Sequence, residues 1–137
     1  MRVRRSVECW MTGEQGRVLL LHVSAEEVPP EGFWQPLTGG IKGDETAAQA
    51  VAREVFEETG QVVGEGEFRF VADGIRVKVS ADFEVVKSLF VVRLPSQVVT
   101  VEPSEHDDFR WVEPGEVSGL LHWESNRETW EQVQKVL

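Results

Sequence analysis

The sequence predicts an α/β fold, a mixed sheet of short strands covered by helices, and three observations carry that prediction. Strand-like and helix-like segments alternate along the chain. Two apolar runs, Val18-Leu19-Leu20-Leu21 and Leu89-Phe90-Val91-Val92, are continuous rather than alternating, as strands covered on both faces are. A length of 137 residues with 41% hydrophobic content suffices for one core, so residues 1–137 are expected to form a single domain.

The first strand runs from Val3 to Thr12, and Gly13-Glu14-Gln15-Gly16 turns the chain into a second, Val18 to Val23, giving a hairpin with one well-buried strand. A loop holding Pro29, Pro30 and Gly32 follows, and Phe33-Trp34-Gln35-Pro36-Leu37 leads into a turn at Thr38-Gly39-Gly40. Thr46 with Gln49 three residues later is a capping-box pair, and neither Pro nor Gly interrupts the chain from there to Gly60, so this helix has both ends marked. Strands are expected over Glu67 to Ala72, Arg76 to Phe83 and Glu84 to Leu94, with Asp73-Gly74 as a hairpin turn. After a loop around Pro103, Asp108-Phe109-Arg110-Trp111-Val112 reads as another strand. Pro114-Gly115 follows, and Ser125 with Glu128 opens a second capped helix running toward Leu137.

Composition narrows the function. Fourteen basic residues against 24 acidic give a formal charge of −10, which argues against a stable nucleic-acid partner. A phosphate-bearing ligand then needs local help, and divalent cations held by clustered carboxylates would supply it. Cys9 is the only cysteine, which excludes an intrachain disulfide, argues against a structural zinc site and fits a reducing cytoplasm. The basic N-terminal residues are followed by Glu8 and an alternating segment rather than an apolar signal core, and no run is long enough to span a bilayer.

The chemistry sits on the first helix. At about 100° per residue, Glu57 and Glu58 lie within about 60° and 40° of Glu54 on either side, so three carboxylates share one arc beside an apolar stripe of Ala48, Val51, Ala52 and Val55. The stripe docks the helix and so fixes a cluster of like charges that bound cations would relieve. Taken alone, the arc also reads as a solvated acidic face with an Arg53–Glu57 ion pair. The wider pattern decides otherwise: Gly39, Glu45, Arg53, Glu54, Glu57, Glu58 and Gly60 stand at the spacing G-x5-E-x7-R-E-x-x-E-E-x-G. Seven such positions match by chance on the order of once in 10⁸ starting points at average residue usage.

This pattern resembles the Nudix box, departing from it only at the last position, where an aliphatic residue usually follows the closing glycine and this chain has Gln61. The resemblance covers nearly the whole chain and implies an α/β/α sandwich with the box helix on one face of the sheet and the C-terminal helix on the other. It implies a hydrolase in which water attacks a pyrophosphate linkage, with magnesium, or manganese in its place, held by Glu54, Glu57 and Glu58. A backbone carbonyl near Gly39 would complete the shell, and Gly39 and Gly40 would let the loop approach metal and substrate. Arg53 would orient a glutamate. Ser104-Glu105-His106 ahead of Phe109-Arg110-Trp111-Val112 is similar to the family's Glu-His pair, which makes Glu105 a candidate further ligand and an alternative to Glu54 as general base, against a solvated loop acid. His106 reads as structural rather than as a ligand.

A weaker resemblance, in Phe33 to Gly40 and in Trp123-Glu124-Ser125-Asn126-Arg127, points to the dihydroneopterin triphosphate pyrophosphatase branch. Trp34 would then stack on a pterin or purine, against a plain core role; Ser125 reads as a helix cap, Trp111 as core, while Trp10, Trp123 and Trp130 stay open. Pterin triphosphates, nucleoside triphosphates, dinucleoside polyphosphates and nucleoside diphosphate sugars all fit the chemistry, as monomer or homodimer. Arg4, Arg5, Lys42, Arg69, Arg76, Lys78 and Arg93 are candidates for a triphosphate contact, against ordinary solvated charges for most of them. Two rivals are a Nudix-fold module that binds a nucleotide without cleaving it and an acidic domain whose glutamates only solvate it. No box glutamate is missing, which favours the enzyme.

Overall fold

The computed structural model describes residues 1–24 and 31–137. The expected loop prolines Pro29 and Pro30 lie outside the described residues. Seven strands form one mixed sheet: β1 (Arg2–Thr12), β2 (Val18–Val23), β3 (Phe33–Gln35), β4 (Leu37–Gly40), β5 (Arg69–Ser80), β6 (Phe83–Arg93) and β7 (Asp108–Val112). Among the described residues three α-helices accompany them: α1 (Ala47–Thr59), α2 (Pro114–Leu120) and α3 (Glu124–Gln134).

Alternation along the strands divides the core into two layers. Val7, Cys9, Met11, Leu19, Leu21, Phe90 and Val92 face Ala50, Val51 and Val55 of α1. Their neighbours Trp10, Val18, Leu20, Leu89 and Val91 face Val117 of α2 and Trp130 and Val133 of α3. This is the expected α/β/α sandwich, and it explains why the β2 run Val18 to Leu21 is wholly buried. Each buried Val or Leu contributes about 1.5–3 kcal/mol relative to exposure. Trp10 and Trp130 meet at a ring separation of 5.0 Å and are both core, while Trp111 is partly buried and donates its Nε1 proton to the Gln97 carbonyl.

One irregularity of the sheet makes the site. β1 runs parallel to β6 along its length but meets β2 only at Met11↔Leu19 and Thr12↔Val18. Over Ser6–Cys9 its other edge takes the short strand β4 instead, with Ser6↔Gly40 and Val7↔Gly39. β3 stays on β2, so β1 and β2 part company and the Gln35-Pro36-Leu37 step crosses between them. A cleft opens where they diverge.

The first helix forms as the sequence predicts. Thr46 Oγ1 accepts from the Gln49 N–H and Gln49 Oε1 accepts from the Thr46 N–H, and Gly60 closes the helix in the left-handed region at φ 77°. Two expectations are corrected. Asp73-Gly74 is not a hairpin turn: β5 runs through it as a register shift between Ala72 and Ile75, with Gly74 at φ 67°, and the hairpin turns at Ala81-Asp82. Ser125 does not cap the C-terminal helix, which starts at Glu124 with Trp123 at the cap position and no side-chain cap bond. Pro114-Gly115 starts helix α2 with the proline in its first turn, where no intrahelical N–H is needed.

Candidate active site

The cleft has a volume of about 580 Å³ and is walled by β1, β4, β6, α1, the loop before β7 and the start of α3. Glu54, Glu57 and Glu105 line one end, with Gly39 and Gly40 beside them. Arg4 and Lys42 are the two cations from the sequence set that line it.

Arg53 organises the acidic end from behind. Its Nε and Nη2 donate to the two oxygens of Glu45 at 2.7 and 2.9 Å, Nη2 also donates to the Gly40 carbonyl at 2.9 Å, and Nη1 donates to Glu54 at 2.9 Å and to Glu57 at 3.3 Å. One guanidinium therefore ties the loop carrying Glu45, the end of β4 and two helix carboxylates together, using the planar fork that lysine lacks. Glu45 also accepts from the Lys42 N–H at 2.8 Å, and the Arg53 contact, with that backbone bond, holds its carboxyl down at about 2.

Glu54 is nearly buried, and burial pushes its carboxyl above the ordinary range. Arg53 opposes that shift, and the charges of Glu57 and Glu105 add to it. Gly39 is required by space rather than by backbone angle: a Cβ there would lie 2.2 Å from Glu54 Cδ and 2.5 Å from Oε1. The backbone of β4 is thus pressed against the Glu54 carboxylate. At Gly40 a Cβ would fall 2.6 Å from an Arg4 guanidinium nitrogen, so the second glycine makes room for that cation.

Glu58 stands apart from its two partners. It is buried at 1% exposure, does not line the cleft, and accepts from His106 Nδ1. The other ring nitrogen of His106 lies 3.3 Å from Gln35 Nε2, so with the amide proton pointing at it this nitrogen accepts and Nδ1 carries the proton given to Glu58. His106 has both nitrogens committed, which gives it the structural place expected. Ligand atoms of Glu58, Glu105 and His106 nonetheless lie within 4.8 Å of one another, so the loop before β7 brings Glu105 to the box helix. That loop is fastened by backbone bonds from Glu105 and His106 to Glu102 and from Asp107 to His22.

The donor set fits a divalent cation. Carboxylates from two separate elements converge with mutual repulsion only partly offset by Arg53, and oxygen-rich sites of this kind suit magnesium or manganese.

Trp34 lies outside the cleft. It sits on the opposite side of β3 from Gln35, its ring 4.8 Å from that of His22, and packs against the α2–α3 side of the core. The aromatic that does line the cleft is Trp123, 42% exposed and set edge-on to Phe33. The sequence reading also passed over Glu8 and Lys87, both buried and lining the cleft from the sheet face away from α1. The available signal was a charge within an apolar stretch of each strand, Val7-Glu8-Cys9-Trp10 and Val85-Val86-Lys87. Gln61 replaces the usual aliphatic residue by hydrogen bonding: its amide donates to the carbonyls of Ser96 and Val98 and accepts from the Ser96 N–H.

Comparison with known proteins matches this geometry. The chain is 33% identical over 117 residues to a Myxococcus xanthus protein named octanoyltransferase, covering 85% of this chain but only 32% of that protein, so it spans about a third of that relative's length. Among solved structures it resembles the MutT protein of Methanosarcina mazei, at TM-score 0.77 and 25% identity over 98% of this chain and 94% of that one. It also resembles the dihydroneopterin triphosphate pyrophosphohydrolase of E. coli, at TM-score 0.71 and 24% identity over 96% and 97%. Because the match to the NUDIX domain runs from residue 2 to residue 134, it takes in the whole sandwich and every wall of the cleft, and the chain belongs to the Nudix hydrolase family.

Proposed function

We propose that this protein is a magnesium-dependent pyrophosphohydrolase that cleaves a phosphoanhydride linkage in a nucleoside triphosphate or a related small molecule, such as a pterin triphosphate or a dinucleoside polyphosphate. The observation that carries the reading is the convergence of Glu54, Glu57 and Glu105 at one end of a cleft that also holds Arg4 and Lys42. Carboxylates alone would repel a polyphosphate. Carboxylates that hold cations, beside two fixed positive side chains, attract one.

Magnesium bound by Glu54, Glu57, Glu58 and Glu105 would neutralise phosphate oxygens and acidify a water molecule. Arg53 fixes Glu54 against Gly39, so the carboxylate is held rather than searching rotamers, and such positioning is worth several kcal/mol in a phosphoryl transfer. Glu54 is the better placed of the two candidate bases. It is buried and clamped on a helix against Gly39, whereas Glu105 is an exposed loop side chain. Arg4 and Lys42 would bind phosphate oxygens along the wall.

The test is release of phosphate or pyrophosphate from a panel of these substrates with and without magnesium. Turnover that requires the metal and falls at least about 10²-fold in Glu54→Gln and Glu57→Gln supports the reading. Absence of turnover throughout, with ligand affinity unchanged in both variants, favours the non-catalytic binding module. We extend the same proposal to a single domain over residues 1–137, working in the cytoplasm as a monomer or homodimer without a nucleic-acid partner. Among the described residues no helix is long and apolar enough to cross a membrane.

A further inference from the structure

The wall of the cleft on the sheet face away from α1 is built around a buried charge pair. Glu8 on β1 and Lys87 on β6 lie on the sheet face that carries Trp10, Leu89 and Val91, with 0% and 6% of their surfaces exposed. Glu8 Oε1 accepts from Lys87 Nζ at 2.7 Å and from Asn126 Nδ2 at 3.0 Å, and Oε2 accepts from Trp10 Nε1 at 3.0 Å. Replacing such a pair by apolar residues of similar size is often neutral or stabilising, so packing alone gives little reason for it.

What this network presents to the cleft follows from its own bonds. Glu8 is a carboxylate and can only accept, so Asn126 must turn its NH2 toward it and its Oδ1 away. Among the described residues no donor reaches that Oδ1, and no buried side-chain nitrogen or oxygen lacks a partner, so the Oδ1 is reached from the cleft that Asn126 lines. Lys87 uses one of its three N–H groups on Glu8 and has two left. Because Lys87 and Asn126 share one oxygen of Glu8, a charged donor and a neutral acceptor stand side by side. Trp123, Val77 and Val85 give apolar walls to the same cleft.

We propose that Glu8, Lys87 and Asn126 select the ring of the substrate, and that they select one carrying a lactam edge, a carbonyl oxygen beside a ring N–H. Lys87 donates to the carbonyl, Asn126 Oδ1 accepts the ring N–H, and Glu8 holds both in place without touching the ligand. A charge-assisted bond to a carbonyl oxygen is about twice as strong as a neutral one. An amidine edge, as in adenine, exchanges the two roles: its outer group donates and its ring nitrogen accepts. A ring whose phosphate tail is held at the carboxylate end cannot slide to restore the match. The lactam edge is shared by oxopurines and oxopteridines, so the inference narrows the substrate class and rests on the reading of this cleft as the site of a phosphorylated ring compound.

Inosine and adenosine 5′-monophosphates differ at this edge alone, and their binding does not depend on hydrolysis. Calorimetric titration of the full chain with each, in magnesium, is expected to give at least about tenfold tighter binding of the inosine compound. The preference should fall below about twofold in Lys87→Met. Because that substitution leaves Glu8 buried without its cation, Glu8→Gln/Lys87→Met is the matched control for folding, with the same loss expected. Equal affinities, an adenosine preference, no binding of either compound, or a preference that survives in the double variant overturns the proposal. Preference for the inosine compound without any magnesium-dependent cleavage of its triphosphate leaves the ring selection standing and overturns the hydrolase reading instead.

Discussion

Substituting Gly39 by alanine tests whether the backbone of β4 positions the Glu54 carboxylate. The added Cβ would sit 2.2 Å from Glu54 Cδ, against 3.4 Å for the start of ordinary contact, so the carboxyl group must withdraw by about 1.2 Å or β4 must move. β4 is held to β1 by the Ser6↔Gly40 to Cys9↔Leu37 register, and the side chain is the softer partner. Withdrawal disturbs the 2.9 Å bond from Arg53 and takes Glu54 away from the place the cleft gives it. Overpacking of this kind costs about 1–3 kcal/mol of stability, and a displacement of about 1 Å at a reacting centre costs about 10²-fold in rate. Urea denaturation and magnesium-dependent turnover of Gly39→Ala should show both losses. The decisive measurement is the same substitution in Glu54→Ala, which removes Cγ, Cδ and both oxygens, the atoms that clash. There Gly39→Ala should be neutral to within about 0.5 kcal/mol. An undiminished cost in that background would refute the reasoning, because the collision would then be with something other than the carboxylate.

Other perturbations test the surrounding structure. Gln61→Leu restores the residue type usual in the family, yet it should destabilise the protein by about 1–3 kcal/mol in urea denaturation, because the Ser96 and Val98 carbonyls and the Ser96 N–H lose their partners. Arg53→Lys keeps the charge but loses the fork to Glu45 and the contact with Gly40. We expect circular dichroism to be unchanged, stability to fall by about 1–3 kcal/mol and turnover to fall at least about 10²-fold. Glu45 has a folded carboxyl at about 2 against an ordinary 4.5, so its contribution to stability is complete above pH 4.5 and lost as the pH falls toward 2. The difference in stability between wild type and Glu45→Gln should therefore shrink across that acid interval, and a constant difference would remove Glu45 as its source. Magnesium should raise the melting temperature of the wild type, and the increase should diminish in Glu57→Gln.

The box helix was legible because its signals are local. Thr46, Gln49 and Gly60 mark its ends with their own backbone chemistry, and the spacing of Glu54, Glu57 and Glu58 fixes which arc they share. What the spacing could not tell is how the three would be used. Helical geometry treats them alike, whereas the structure gives Glu54 to the cleft wall, leaves Glu57 near its rim and buries Glu58 against His106, 48 residues away. The Asp73-Gly74 misreading has the same origin. A local Asp-Gly pair is a strong hairpin signal, but Asp73 accepts from Ser88 Oγ of β6 and from the Gly74 N–H, and pairing with β6 carries β5 through as a bulge.

Trp34 and Trp123 show where the remaining information lies. On composition each is an equally good partner for a ring, and the phase of a strand only three residues long decides between them. Gln35 points to His106 and lines the cleft, Trp34 points to the other face of β3 and packs beside His22 outside the cleft, and the start of α3 brings Trp123 and Asn126 to the cleft instead. Phase is set by the pairing of β3 with β2 through His22↔Trp34, a contact between segments that no local pattern relates. Glu54, Glu57, Gly39 and Gly40 belong to one continuous motif and can be read from it, whereas Glu8, Lys87 and Asn126 are brought together from β1, β6 and α3. In each strand that residue is conspicuous only as a charge beside buried apolar neighbours, and it acquires chemical meaning when Lys87 and Asn126 are seen to share one oxygen of Glu8.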